Sequence, residues 1–344
     1  MTQPAYPIGR IVIGNAESAK PAYERFQSQT IDETRLHEGA YPYSKRQTTI
    51  RKTATATGQG TFSGSDQRSL TFMPGECEGW WIDRTDQVEQ LKTLVSVRSV
   101  WTTARNIVLR SGSPHNYLRM VEHIIALRNG LGLDNLTIMT DSGDPPLFDR
   151  GSLDLVEALE GAEIIETDQP ARFVTVKEPV TFIGGRGDFI TILPAEPGNY
   201  GLRVDCAIDF PTAIGKQRIL FDVTPENFRY GAQARTNAPL REYIYAKTIG
   251  KIFADTRNLG YTRKNILIHG KQEYFNEAKM LINDRSLEAV WHRATLDLLA
   301  AVALIDLGRL AGTIISYRAG HTQDVRLIAQ LYLRDLLTPL PPLF

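Results

Sequence analysis

The sequence predicts an α+β protein built from one unit used twice, and three observations carry that prediction. Two segments share the order strand, Gly-rich turn, strand: TIRKTATATGQGTFSGSDQRSLTFMPG and FVTVKEPVTFIGGRGDFITILPAE. Both close alike, LTFMPGE against ITILPAE, each ending a β run with proline and an acid, and each is followed by another β-like run, GWWIDRTD and LRVDCAIDF. Each half then has an apolar helix containing a histidine, near 118–128 and 288–307, which leads through glycine into a β run, LGLDNLTIMT or LAGTIISYR. The split falls near Gln169-Pro170, giving units at 48–169 and 170–344 behind an N-terminal arm, 1–47.

The arm holds Pro4, Pro7, Pro21 and Pro42 around a polar centre and shows no strong period. In the first unit, alternation predicts strands near 49–57, 60–73, 78–83, 105–109 and 134–140, with helices near 87–93, 115–129 and 152–160. In the second, strands are expected near 173–183, 188–194, 201–210, 217–223, 265–269 and 312–317, and helices near 225–230, 240–257, 271–279 and 286–308. The Gly184-Gly185-Arg186-Gly187 run reads as a hairpin turn, Trp80-Trp81 as core or interface, Cys77 and Cys206 as buried strand residues, and His115 as a helix start. His37 and His269 call for no role beyond structure or solvation, the Arg263-Lys264 pair reads as a solvated turn with contact to a diphosphate as the alternative, and the tail LLTPLPPLF covers a groove or meets a partner.

Composition excludes several classes. With 344 residues, 42% hydrophobic and 23% charged, the chain can bury two ordinary cores. Lys plus Arg (39) balances Asp plus Glu (39), which argues against a nucleic-acid footprint. Two distant cysteines make no disulfide framework and fit a reducing compartment. No signal peptide and no run of ~18 apolar residues are seen, so a cytoplasmic protein is expected; peripheral contact with a membrane stays open.

The chemistry centres on three histidines. His123 opens the first apolar helix beside Glu122, His292 opens the second with Asp297 further along, and His321 follows a glycine after a β run. Two histidines on equivalent helices of a duplicated pair face each other where the units meet. Imidazole suits zinc, a carboxylate completes three protein ligands, and the fourth position is left for water. Glu122, adjacent to His123, points about 100° away around the helix and suits proton transfer better than ligation. The spacing of His292 and Asp297 is five, about 140° on a regular helix, against the usual three or four. A π-bulge or a non-helical first turn absorbs the extra residue; otherwise Asp297 is a charged residue on a helix face.

Several segments resemble the UDP-3-O-acyl-N-acetylglucosamine deacetylase family of lipid A biosynthesis. They are TGQGTFSGSDQRSLTFMPG, GWWIDRTD, VEHIIALRNGLGLDN (121–135), PPLFDRGS (145–152), RFVTVKEPV, DFPTAIGKQR (209–218), AQARTNAP (232–239), HRATLDLL and YRAGH, in the family's order. The resemblance implies two similar α/β sandwich domains, small sheets outside and helices packed at the domain interface. It implies a zinc ion, with iron(II) as the alternative, on His123, His292 and Asp297. It further implies Glu122 as general base, His321 as general acid or oxyanion partner and Thr236 as oxyanion donor. Substrate-contacting positions map to Arg293, Asn237 and Phe62, where the family has a lysine, an aromatic residue and a histidine. An acid expected beyond the ligand aspartate falls at or near Ala301, which leaves His321 without a partner to orient it. The implied reaction is hydrolysis of the acetamide of a UDP-linked, 3-O-acylated glucosamine. The alternatives are a non-catalytic homologue that binds a nucleotide-sugar, lipid or protein, and a hydrolase of another amide or ester.

Overall fold

Strand order repeats between the two halves in the computed structural model, which describes residues 6–248 and 260–343. The first sheet runs Pro146–Leu147, Ala54–Gly60, Gln67–Pro74, Leu136–Thr140, Trp80–Arg84, Thr93–Leu94. The second runs Arg10–Ile13, Val180–Ile183, Phe189–Leu193, Gly312–Tyr317, Leu202–Asp209, Lys216–Asp222, Glu33–Arg35. Five strands correspond one to one. Each set begins with two antiparallel steps, then has one parallel step (Leu136–Thr140 with Trp80–Arg84; Gly312–Tyr317 with Leu202–Asp209), and ends with an antiparallel step. A shared order with shared directions is what duplication of one α+β unit produces.

Helices fill the space between the sheets. Glu122–Gly130 packs on Leu299–Ala303 and on the turn before it. Ile124, Ile125 and Leu127 from one helix and Val290, Leu298 and Val302 from the other join Phe72 and Ile138 of the first sheet and Ile192 and Phe221 of the second in a single core. Among the described residues no helix is long and apolar enough to cross a membrane.

Residues 10–35 of the arm are woven into the second sheet. Arg10–Ile13 pairs in parallel with Val180–Ile183 at one edge, and Glu33–Arg35 pairs in parallel with Lys216–Asp222 at the other. The helix Ala16–Gln27 joins them, opened by the Asn15 side chain, which accepts from the N–H of Ser18. Its Ala19, Ala22, Tyr23 and Phe26 form one helical stripe and bury against Ile183, Phe189, Ile315 and Tyr317. Beneath Phe26, fully buried Arg218 and Asp205 form a two-pronged ion pair, with both bonds at 2.8 Å. The Arg218 guanidinium lies 4.0 Å over the Phe26 ring and donates to the carbonyl of Gln29.

Several expected elements differ. The helix expected near 87–93 is a turn leading into the strand Thr93–Leu94, because Thr93 and Leu94 pair with Ile82 and Trp81. The helix expected from 115 begins at Glu122. Tyr117–Leu118 is committed to a strand against Arg110 and Leu109, and Met120 adopts φ +50°, which breaks continuity. Consequently His115 precedes a strand, not a helix. The strand expected over 60–73 is split by the turn after Gly60. Residues 271–279 are not helical. The Asn276 side chain accepts from Ile268 N–H and donates to the carbonyls of Arg263 and Ile266, holding the chain back along the strand Ile266–His269. Of the helix expected over 240–257, Leu240–Lys247 is present, while 249–257 lies outside the described residues. Cys206 is buried but Cys77 is exposed, since it sits in the turn between two strands. The tail strand Leu337–Leu340 pairs antiparallel with Phe173–Val176.

Candidate active site

The two histidine-bearing helices meet where the first turn of one faces the last residue of the other. Glu122 and His123 open the helix Glu122–Gly130, where an acid is favoured by the unpaired N–H groups. His292 ends the short helix Glu288–His292, and the chain then widens into a π-helical turn, Arg293–Leu298, before resuming α-helix at Leu299. The π turn absorbs the extra residue between His292 and Asp297, so that His292 Nδ1 lies 3.6 Å from Asp297 Oδ1. Without it, a five-residue offset turns the carboxylate about 140° away.

His123 Nε2 and His292 Nε2 are 3.2 Å apart, and Thr236 Oγ1 lies 3.2 Å from the first and 3.0 Å from the second. Burial pushes the His123 imidazole down to about 3 and also lowers that of His292, so both rings are neutral and present lone pairs. For comparison, two imidazoles on a tetrahedral zinc, each at about 2.0–2.1 Å, stand roughly 3.3 Å apart. The imidazole pair therefore fits two ligands of one ion. Asp297 Oδ1 does not share that point: it sits at the Nδ1 edge of His292 and 3.8 Å from His321 Nε2. Among the described residues no three His, Cys, Asp or Glu side chains are gathered as a metal-binding group.

Glu122 is buried and accepts the N–H of Ile107 through Oε1, while Oε2 has no partner. Burial raises its carboxyl to about 7, against the opposing charge of His321, whose Nε2 is 3.7 Å away. Burial works against the charged form of His321, but the Asp297 and Glu122 carboxylates outweigh it and raise its pKa. Burial likewise opposes ionisation of Asp297, yet His321, His292 and Arg293 bring its pKa below the usual value. The site thus gathers a carboxyl raised to about 7, an imidazole whose charged form is favoured by neighbouring carboxylates and a carboxylate whose charged form is favoured by neighbouring cations, which is the equipment of acid–base catalysis.

Other expected site residues are more dispersed. Arg293 is buried: its guanidinium donates to Asp324 Oδ1 at 2.6 Å, to Ser316 Oγ and to the Ala319 carbonyl, leaving only Nη1 without a partner. A cavity of about 440 Å³ lies against His292, Arg293 and Asp297 and is also lined by Asn237, Phe210 and Arg318, a volume in the range of small-ligand sites. Phe62 is not part of that lining; it is buried under the Arg119 guanidinium, 3.9 Å from the ring. Ala301 is buried core, and His321 Nδ1 is a buried atom with no partner.

Two ion pairs were not anticipated from the sequence. Arg235 donates to Glu288 Oε1 at 2.5 Å and Oε2 at 2.9 Å, tying the strand that starts at Thr236 to the helix that ends at His292. Arg293 and Asp324 tie that helix to His321–Leu333. The signals were an arginine directly before Thr236, an acid four residues before His292 and an acid three residues after His321.

A duplicated α+β scaffold with paired imidazoles, a hydroxyl and a buried acid where its halves meet is a hydrolase-type arrangement. The chain belongs to the UDP-3-O-acyl N-acetylglycosamine deacetylase family, which it matches over residues 47–333. It is 28% identical over 288 residues to the UDP-3-O-acyl-N-acetylglucosamine deacetylase of Bdellovibrio bacteriovorus, covering 83% of this chain and 89% of the relative. Relatives of the same name from Oleidesulfovibrio alaskensis (30% over 280 residues, 80% and 85% covered) and Solibacter usitatus (26% over 291 residues, 83% and 90%) are similar in extent.

Proposed function

We propose that the protein is a zinc-dependent amide hydrolase that removes the acetyl group from a UDP-linked, 3-O-acylated N-acetylglucosamine. The observation that carries the reading is the 3.2 Å approach of His123 Nε2 to His292 Nε2, one from each half, with Thr236 Oγ1 in reach of both. His123 and His292 would hold the ion, with Asp297 the neighbouring carboxylate that would serve as third ligand; iron(II) suits the same donors. Bound there, the ion supplies Lewis acidity to water and to the amide carbonyl.

The remaining work falls to the chain itself. Glu122, ionised at neutral pH in part and buried, takes the proton of the attacking water through Oε2, the oxygen that carries no other bond. Thr236 donates to the oxygen that gains charge as the carbonyl carbon becomes tetrahedral. His321, whose charged form the neighbouring carboxylates favour, protonates the departing amine. The cavity beside His292 takes the sugar and its neighbouring groups, with Asn237 and Arg318 as polar walls.

The test is deacetylation of UDP-3-O-acyl-N-acetylglucosamine by the metal-loaded protein, with metal content measured on the same sample. Acetate release with about one zinc or iron per chain, both lost in His292→Ala, supports the reading. The unpartnered His321 Nδ1 and the separate setting of Asp297 favour a non-catalytic homologue as the second reading. Tight binding of the nucleotide-sugar with no acetate release would select it.

A further inference from the structure

We propose that Glu33, in the N-terminal extension, is a positioning residue for the site: it fixes the helix of His292 by holding the side chain next to it. The family match begins at residue 47, so this contact lies on a part of the chain that the match does not reach.

The geometry is direct. Trp291 is fully buried immediately before His292. Its indole is wedged against the Phe221 ring (centroids 4.9 Å apart) and edge-on to Tyr230 (5.1 Å). A buried indole N–H needs an acceptor, and the one it finds is Glu33 Oε2 at 2.8 Å. Glu33 is itself held twice. Its backbone lies in register with Ile219 in the edge strand, and its Oε1 accepts from Arg35 Nε at 2.5 Å. The Arg35 guanidinium in turn stacks 3.6 Å over Tyr230, closing a ring of contacts around Trp291. Neighbouring Asp32 anchors the same strand, accepting from Arg218 N–H at 2.9 Å and from Arg285 at 2.8 Å.

The anchor sits directly ahead of the segment that carries the site. Beyond His292 the helix leaves regular geometry for the π turn Arg293–Leu298, which sets where Asp297 points. A π turn is a costly local choice that persists only when its surroundings impose it. Arg293 secures the far side through Asp324, and Trp291 secures the near side through Glu33. Loss of the Glu33 acceptor frees the indole and loosens the first turn of the ligand-bearing segment, and the two imidazoles lose their common setting.

The inference rests on the hydrolase reading for its effect on turnover, but not for its effect on the helix. In full-length protein, Glu33→Ala, Trp291→Phe, the double variant and Glu33→Gln are compared in three measurements. The first is hydrogen exchange over residues 288–298 in the metal-free protein. The second is zinc affinity by competition with a chromogenic chelator, and the third is kcat and KM. Glu33→Ala and Trp291→Phe each speed exchange at 291–298 and weaken zinc binding by about tenfold, the low end of what loss of a supporting group costs a metal ligand. Both lower kcat with KM little changed. The double variant is no worse than either single one, as expected when both remove one interaction. Glu33→Gln, which keeps an oxygen for the indole and a similar volume, stays within about twofold of wild type in zinc affinity. Unchanged exchange at 291–298 in Glu33→Ala, or multiplied effects in the double variant, overturns the proposal. If the wild type neither binds zinc nor releases acetate, the hydrolase reading fails and the exchange data still decide what Glu33 does.

Discussion

The two sheets share a strand order, yet they meet their outer surroundings differently. In the first, the burial of Ala54–Gly60 and Trp80–Arg84 alternates, and hydroxyl pairs such as Thr55 with Thr71 and Thr57 with Ser69 stand exposed on its outer face. In the second, Val180–Ile183 is buried along its whole length, because the helix Ala16–Gln27 covers the outer face. Both edges of that sheet also carry strands from the arm. The two halves share one scaffold, and the N-terminal segment covers the outer face of the second. That copy also carries the less regular of the two histidine helices, the one with a π turn.

The comparison breaks most readily at the paired helices. Each half gives one imidazole, so His123→Ala and His292→Ala should fail alike, each lowering kcat/KM roughly 1000-fold or more, about 4 kcal/mol of transition-state stabilisation. A large effect from one and none from the other, in steady-state kinetics, removes the equivalence. Glu122→Gln should lower kcat by roughly 100- to 10,000-fold while the protein stays folded, as judged by circular dichroism.

Stability sharpens the contrast between covered and open faces. Arg218→Ala strands buried Asp205 and should cost about 3–5 kcal/mol in denaturant unfolding. Phe26→Ala should cost a similar ~3–5 kcal/mol, because the ring is fully buried under the second sheet. The matching change on the open face, Thr71→Ala, should stay within about 0.5 kcal/mol. Equal losses at Phe26 and Thr71 would mean that the arm adds nothing to the second half.

A smaller effect concerns pH in metal-free protein. Glu122 binds its proton more tightly when folded, near 7 against 4.5, so its contribution to stability is present below about pH 4.5 and is lost as pH rises through 7. His123, lowered by burial, acts in the opposite sense as pH falls below 6.5. The difference in unfolding free energy between wild type and Glu122→Gln isolates the carboxyl's share: the wild type should lose ground relative to the variant between pH 4.5 and 7. A flat difference contradicts the buried setting of that carboxyl.

Much of this was legible because one-sided burial leaves a period in the sequence. The alternating runs after residue 48, the matched LTFMPGE and ITILPAE ends, and the histidine helices all gave the right element in the right order. The five-residue gap from His292 to Asp297 left a π-bulge, a non-helical first turn and a carboxylate merely exposed on a helix face all open, and the π turn Arg293–Leu298 is the one that forms. The arm reads from the sequence as short helical or extended pieces without a strong period, and the helix Ala16–Gln27 escapes a firmer reading for a physical reason. Its stripe of Ala19, Ala22, Tyr23 and Phe26 has helical spacing, but two of the four are alanines, and Pro21 lies in the middle. Its short edge strands, four and three residues long, are set by partners far along the chain and not by their own composition. The same holds for 87–93 and 271–279, where pairing and side-chain-to-backbone bonds override local helix propensity. The ion pairs Arg235–Glu288 and Arg293–Asp324 were invisible because charged residues next to functional ones look the same whether they face substrate or each other.

Diffraction from crystals of the zinc-loaded protein, recorded on both sides of the zinc absorption edge, tests the central claim most directly. One anomalous peak should lie about 2.0–2.1 Å from both His123 Nε2 and His292 Nε2, with an Asp297 oxygen at a similar distance. A fully loaded sample with no peak between the two imidazoles, or with its only peak elsewhere on the chain, would contradict the account.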